Sequence, residues 1–335
     1  MNKKNVALVL MAIIGMMMLT WYQNEDEQVG ESVKFLPALK QNLNNLGKLE
    51  VSTVTGSFSL VKQDQKWVVL EKHSYPVDIA MLSSLLEGLS TAHLVERKTV
   101  KPENHSILEV SGLSIEGSKA KQVSGFGDGY SFSVLIGKSS QGREGQFVRK
   151  TDDSQVWLTD RSLPVNSSEL AWLKPQIIDI KPGEVKKIEQ FDLSRELQFT
   201  LDLVEGEDEL VLRNLPANRR LRYPSSTSEL AGALENLRLT DVRLHESDAW
   251  SHSFRTVFNL VDGREIIVLA VDVKDKKWLH LSVGEPAGSD AQSGSSAEDH
   301  HNPGRWDYRV AGYVFEEFTK NLDDLLDEKN DPAPE

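Results

Sequence analysis

The sequence contains no cysteine. That absence excludes a disulfide framework, a Cys-ligated zinc site, a thiol nucleophile and lipidation of a Cys behind a signal sequence. Basic residues are in the minority: Lys+Arg is 38 against Asp+Glu 51, a formal charge of −13. Nucleic-acid backbones are bound by clustered Lys and Arg, so no nucleic-acid partner is expected. Catalytic signatures are missing as well. No Gly-x-x-x-x-Gly-Lys-Ser/Thr P-loop occurs, since Gly137-Lys138-Ser139 has Phe132 at the leading-glycine position, and no Gly-x-Ser-x-Gly elbow. The eight histidines show no His-Glu-x-x-His or other compact ligand spacing. Glu298-Asp299-His300-His301 is the densest ligand-type run, but it sits in a Gly/Ser-rich stretch that would not pre-orient it. Gly125-Phe126-Gly127-Asp128-Gly129 has a strand-like run after it where a dinucleotide fingerprint needs a helix, and reads as a hairpin turn. Asp152-Asp153 and Asp323-Asp324 read as solvated pairs. The chain is therefore read as non-enzymatic, without cofactor or metal. A hydrolase would need a site assembled from residues distant in sequence, which spacing does not reveal.

What the sequence does have begins at its start. Lys3 and Lys4 precede an uncharged, largely apolar run over residues 6–22 that ends in Trp21 and Tyr22. A spanning helix takes ~17–25 apolar residues, with aromatics at the interface and lysines on the cytoplasmic side. A transmembrane anchor over residues 1–22 is expected, with everything beyond it outside. The run exits through Leu19-Thr20-Trp21-Tyr22-Gln23 without an Ala-x-Ala-like site, which favours an uncleaved anchor over a removed signal peptide. Residues 23–32 are polar and acidic and read as a stalk.

The remainder reads as α+β: two duplicated lobes of mainly antiparallel sheet with packed helices, over residues 33–172 and 173–322. In the first lobe, Phe35, Leu36, Leu39, Leu43 and Leu46 follow helical spacing. Alternating runs at 48–52 and 57–62, then Trp67-Val68-Val69-Leu70, read as strands. Tyr75-Pro76 leads into a helix with Met81, Leu82, Leu85, Leu86 and Leu89 on one face. In the second lobe, runs at 197–204 and 209–213 are followed by Tyr223-Pro224 and an apolar face of Leu230, Ala233, Leu234 and Leu237. Leu82, Leu86 and Leu89 match Leu230, Leu234 and Leu237 at one constant offset, which suggests an internal repeat. Further strands are expected at 131–136, 145–149 and 155–158, and at 254–260, 264–271 and 277–283. Asp262-Gly263 marks a hairpin. Residues 285–304, rich in Gly, Ser and acidic side chains, read as a disordered loop. A last helix carries Val314, Phe315, Phe318, Leu322 and Leu325, and residues 323–335 read as a solvated acidic tail.

Arg213, Arg219, Arg220 and Arg222 form the one basic cluster and are the candidate partner-binding residues. Lipid headgroups or an acidic surface would suit them; so would a charged strand edge that blocks unwanted pairing. Trp67, Trp157, Trp172 and Trp278 fall in or beside strand-like runs and read as core rather than a sugar-stacking platform.

Phe35-Leu36-Pro37-Ala38-Leu39, Asn42, Asn45, Leu49-Glu50-Val51 and Lys66-Trp67-Val68-Val69 occur in a set order. They are followed by the helix of 82–89, Val95-Glu96-Arg97-Lys98, Gly112-Leu113, Val134-Leu135-Ile136-Gly137 and Val156-Trp157-Leu158. This pattern resembles the bacterial family DUF4340, a domain of unknown function, over roughly residues 33–245. Ser114-Ile115-Glu116 departs from it, where similar sequences often place a Pro. The resemblance implies an accessory component beside ABC-type transporters, including gliding-motility-like systems. The implied partners are the inner membrane, through residues 6–22, and permease or auxiliary subunits. The implied location is the bacterial inner membrane, single-pass, with the C-terminal region in the periplasm. The expected role is a membrane-anchored accessory or scaffold; the competing one is a periplasmic ligand- or polysaccharide-binding module using the cleft between lobes. The resemblance assigns no active-site residues.

Overall fold

Side chains that alternate between core and solvent dominate the chain, and most of it folds into antiparallel sheet. A computed structural model describes residues 33–204, 206, 209–213, 215–284 and 303–327. The first half contains β1 (Val33–Lys34), α1 (Leu39–Asn42), β2 (Leu46–Thr53), β3 (Gly56–Gln63), β4 (Lys66–Val69) and β5 (Tyr75–Pro76). It continues with α2 (Ile79–Thr91), β6 (His93–Thr99), β7 (Lys121–Gly127), β8 (Tyr130–Ser139), β9 (Gln146–Lys150) and β10 (Val156–Thr159). The second half contains β11 (Gln176–Ile178), β12 (Val185–Phe191), β13 (Leu197–Leu203), β14 (Leu210–Leu212), α3 (Ser226–Ala231) and β15 (Leu237–Arg238). Then come β16 (Asp241–Leu244), β17 (Phe254–Leu260), β18 (Glu265–Val273), β19 (Lys276–Gly284), β20 (Trp306–Arg309), α4 (Gly312–Glu317) and α5 (Leu322–Leu325).

The expectation of an α+β chain behind a transmembrane helix is corrected on two counts. Antiparallel strands make up most of the ordered elements, and α2 is the one helix longer than two turns among the described residues. No helix of the described residues is long and apolar enough to cross a membrane. Residues 1–32, which hold the expected anchor and stalk, lie outside the described residues, as do most of the 285–304 loop and the chain after residue 327.

The helical spacings that failed share one cause. Leucines three and four apart serve a short helix followed by a turn and a strand as well as they serve a long helix. Residues 35–46 form only α1 and a 3-10 turn before Leu46 opens β2. Asn236, at φ 47°, turns the chain so that Leu237 enters β15 instead of extending α3. The final helix divides into α4 and α5. Asn321 caps α5: its side chain accepts from the Asp324 amide at 3.2 Å, and the Asp324 carboxylate in turn accepts from the Asn321 amide at 2.8 Å. By contrast α2 has what a helix needs. Asp78 accepts from the amides of Ala80 (3.0 Å) and Met81 (3.2 Å), and Leu82, Leu85 and Leu89 are buried.

Two sheets carry the architecture. One runs β1-β6-β10-β9-β8-β7-β2-β3-β4-β5, the other β14-β13-β12-β17-β18-β19-β20-β16; β11 pairs separately with β15. From β6 to β4, and from β16 to β14, the two sheets trace the same path in strand order. In each, a three-strand meander leads to a helix and a distant strand, and the next four strands return to meet the meander. The matching Tyr-Pro pairs are not equivalent in structure: Tyr75 is buried in β5, while Tyr223 is 63% exposed outside any strand.

Contacts divide the chain into two compact units. Among the described residues, the first takes in residues 33–46, Val51–Gly56 and Ser83–Val165. It holds β6 to β10 and a buried cluster of Val110, Ala120, Leu135, Phe147, Val156 and Leu158. The second takes in Gly47–Glu50, Ser57–Leu82 and the described residues from Asn166 onward. Its core includes Phe199, Leu201, Phe258, Ile266, Val268 and Phe318, with Phe258 and Phe318 edge to face at 6.2 Å. Gln190, fully buried there, donates to the Phe318 carbonyl (2.9 Å) and accepts from the Thr256 hydroxyl (2.6 Å), so its amide is satisfied.

Candidate functional site

Strand order in the second unit gathers polar side chains that sequence spacing keeps apart. β20 lies between β19 and β16, and the register sets Asp307 directly across from His280 on one side and Arg243 on the other. Directly opposed residues on one face of a sheet are side-chain neighbours. His245, two residues beyond Arg243, falls on the same face. The turn Ser247–Trp250 then brings the Trp250 indole over the group.

Asp307 is completely buried, and its two oxygens have separate partners. Oδ2 accepts from Arg243 Nε (3.1 Å) and Trp250 Nε1 (3.2 Å). Oδ1 faces the imidazoles: His245 Nδ1 at 2.7 Å and His280 Nδ1 at 3.4 Å. His280 Nδ1 is also 3.1 Å from the Trp306 carbonyl oxygen. The two rings stack with centroids 3.6 Å apart at 25°. The Arg243 guanidinium lies 4.3 Å from the Trp278 ring centroid. His245 keeps 24% of its side-chain surface exposed and so gives the cluster its contact with solvent. One ligand atom from each of His245, His280 and Asp307 lies within 4.8 Å of the others, the makings of a metal-ligating group.

The opposite face of β20 is aromatic. Trp306 and Tyr308 meet Tyr75 at ring-centroid distances of 5.2 and 6.4 Å. Burial pushes the Tyr75 phenol well above its ordinary range. It does the same to Tyr308, where the neighbouring Tyr75 and Asp307 add to the shift. Both phenols stay protonated and donate to backbone carbonyls, of Lys174 (3.3 Å) and Pro303 (3.2 Å).

The four arginines singled out in the sequence do not form one cationic surface. Arg213 pairs with Asp202 at 3.2 Å beside β14. Arg219 is buried and holds the C-terminal segment through Asp323 and the Asp327 carbonyl. The Arg220 amide donates to the Asp327 carboxylate (3.0 Å). Arg222 donates from its amide to the Leu325 carbonyl (2.8 Å) and from Nε to the Leu326 carbonyl (3.1 Å). Residues 323–327, read from sequence as the start of a solvated tail, are thus packed, with Leu325 and Leu326 buried. His300 and His301 lie outside the described residues. Trp172 and Trp278 are buried, and Trp67 and Trp157 partly so. A hollow of about 710 Å³ near Arg238 and Tyr313 includes none of the His-Asp cluster in its lining.

Fold and cluster together define a tandem antiparallel-sheet protein with a buried imidazole–carboxylate group in its second sheet. The sequence profile of the family described as Domain of unknown function (DUF4340) matches residues 67–255, more than half of the chain, and the chain belongs to that family. The matched stretch contains Arg243, His245 and Trp250 and ends before His280 and Asp307. No curated protein and no solved structure matches the chain.

Proposed function

We propose that the chain is an extracytoplasmic accessory or scaffold protein held at the bacterial inner membrane, working alongside an ABC-type transport system. The observation that carries this reading is the layout of the sequence: Lys3 and Lys4, the uncharged apolar run of residues 6–22, and then a large acidic body. The sheet-rich body suits a binding role. β14 is the last strand on one side of the eight-stranded sheet and only three residues long, and Arg213 follows it directly. Terminal strands of a sheet can take up partners by strand addition. A polysaccharide-binding role draws less support, because Trp172, Trp250, Trp278 and Trp306 are buried.

The test is capture of the tagged full chain from detergent-solubilised native membranes, followed by mass spectrometry of what accompanies it. Recovery of a permease, an ATPase or an envelope subunit is expected. Recovery of the chain alone, or a reporter fused after residue 30 that is active only in the cytosol, would overturn the reading.

A further inference from the structure

We infer that His245, His280 and Asp307 bind a divalent transition-metal ion of the zinc class. Three features of the cluster lead there. First, the donor set converges. His245 Nδ1 lies 2.7 Å from Asp307 Oδ1, and His280 Nδ1 lies 3.4 Å from the same oxygen beside its nearer contact, the Trp306 carbonyl at 3.1 Å. Zinc bonds to imidazole nitrogen and carboxylate oxygen are about 2.0–2.2 Å, so ligand atoms around one ion lie a little over 3 Å apart. To meet that need the stacked rings turn apart so that both Nδ1 lone pairs face one ion, His280 gives up its contact with the Trp306 carbonyl, and each neutral imidazole carries its remaining proton on Nε2.

Second, the carboxylate is oriented as a ligand should be. Its other oxygen is fixed by Arg243 and Trp250, which leaves Oδ1 for the imidazole side. Hydrogen bonds of this kind to a ligand's second oxygen set its direction and raise metal affinity. His245 borders solvent, which gives an ion a way in and leaves room for a water as fourth ligand.

Third, the protein contains its own comparison. The first sheet follows the same strand path, with β10 between β9 and β6 as β20 lies between β19 and β16. There the directly opposed pair at the equivalent place is Leu158 and Phe147, where the second sheet has Asp307 and His280. Both belong to the apolar cluster that Val110 and Ala120 complete from the β6–β7 connection. In the second sheet the β16–β17 connection supplies Trp250 over the charged group. The β9–β10 pair is thus satisfied by apolar side chains, with the partly exposed Glu96 across from Leu158 on the β6 side, and burying a charged group in their place is seldom a gain in stability. The polar set in one copy alone is what a ligand site requires and a fold does not.

The test uses the full chain, purified in detergent and stripped by a chelator, titrated with Zn²⁺ by calorimetry. One ion per chain is expected. His245→Gln and His280→Gln should each weaken binding by about tenfold or more, since each removes one ligand. X-ray absorption at the zinc edge should show imidazole scattering that diminishes in either variant. The double variant His300→Ala/His301→Ala should bind as the parent does. Absence of binding up to about 1 mM Zn²⁺, binding unchanged in His245→Gln and His280→Gln, or binding lost in the His300/His301 variant would each overturn the assignment. His245→Gln is the safer of the ligand variants for folding because its side chain is partly exposed; its circular dichroism should match the parent's.

Discussion

Asp307 shows how much one residue can demand of its surroundings. A carboxylate with no exposed surface needs compensation, and Arg243, Trp250 and His245 provide it at 3.2 Å or less. Removing the carboxylate charge leaves Arg243, Trp250 and His245 without their shared acceptor, although Arg243 keeps 34% of its side chain in solvent. Asp307→Asn should therefore lower unfolding stability by about 1–3 kcal/mol in denaturant melts. Asp160 makes a different prediction. Burial acts to raise its pKa, but hydrogen bonds from Arg161 and from the His93 amide outweigh that and hold it at about 2, against an ordinary value of 3.8. The group is thus easier to ionise folded than unfolded. Its contribution should be complete above about pH 4 and vanish as pH falls toward 2. Asp160→Asn should narrow the stability difference between pH 5 and pH 2, measured as midpoints in denaturant. None of these roles is legible at the level of the single residue. His245, His280 and Asp307 meet only because three strands lie side by side, and no spacing rule along the chain encodes that neighbourhood.

At the scale of elements, strands were far more legible than helices. β3, β4, β8, β9, β17, β18 and β19 all fall within a few residues of where alternation and turn chemistry place them. Asp262-Gly263 does turn β17 into β18: Gly263 takes φ 88°, and Asp262 accepts from the Arg264 amide at 3.0 Å. Helices are overread because apolar spacing does not say where a helix stops; Asn236 and Asn321 do, through local backbone and capping chemistry. The same scale explains the arginines. As a run in sequence they suggest a surface for another molecule, yet Arg219 and Arg222 hold residues 323–327 of their own chain. Leu325, buried beneath that tie, should cost about 2–5 kcal/mol when changed to Ala. Arg219→Ala should expose the amides of Arg222 and Asp327 to hydrogen exchange together, because their bonds to Leu325 and Arg220 belong to one segment.

At the scale of the whole molecule, the repeat is visible in sequence only as two leucine patterns at one offset. Its full extent, the shared strand path of two sheets, rests on non-local pairing that a single sequence does not display. The repeat also supplies a design rule. Replacing His280 and Asp307 with the first sheet's opposed Phe and Leu, and adding Arg243→Leu to remove the charge left without its carboxylate, should leave the fold intact. Its stability should lie within about 1–4 kcal/mol of the parent, on either side, since packed apolar residues often match a buried charged group. The same variant should no longer take up Zn²⁺. Denaturant melts and circular dichroism check the first outcome, calorimetry the second.

The position of β20, between β19 and β16, sets a deadline for assembly. Residues 306–309 are the last strand to be synthesised among the described residues, yet they fill a gap within the sheet and do not extend its rim. A nascent chain, or one clipped before Trp306, holds both imidazoles but lacks the carboxylate that aligns them. Whatever the cluster does, it can begin only once residues 306–309 have been made and that gap has been closed, so its occupancy would report that β20 is in place.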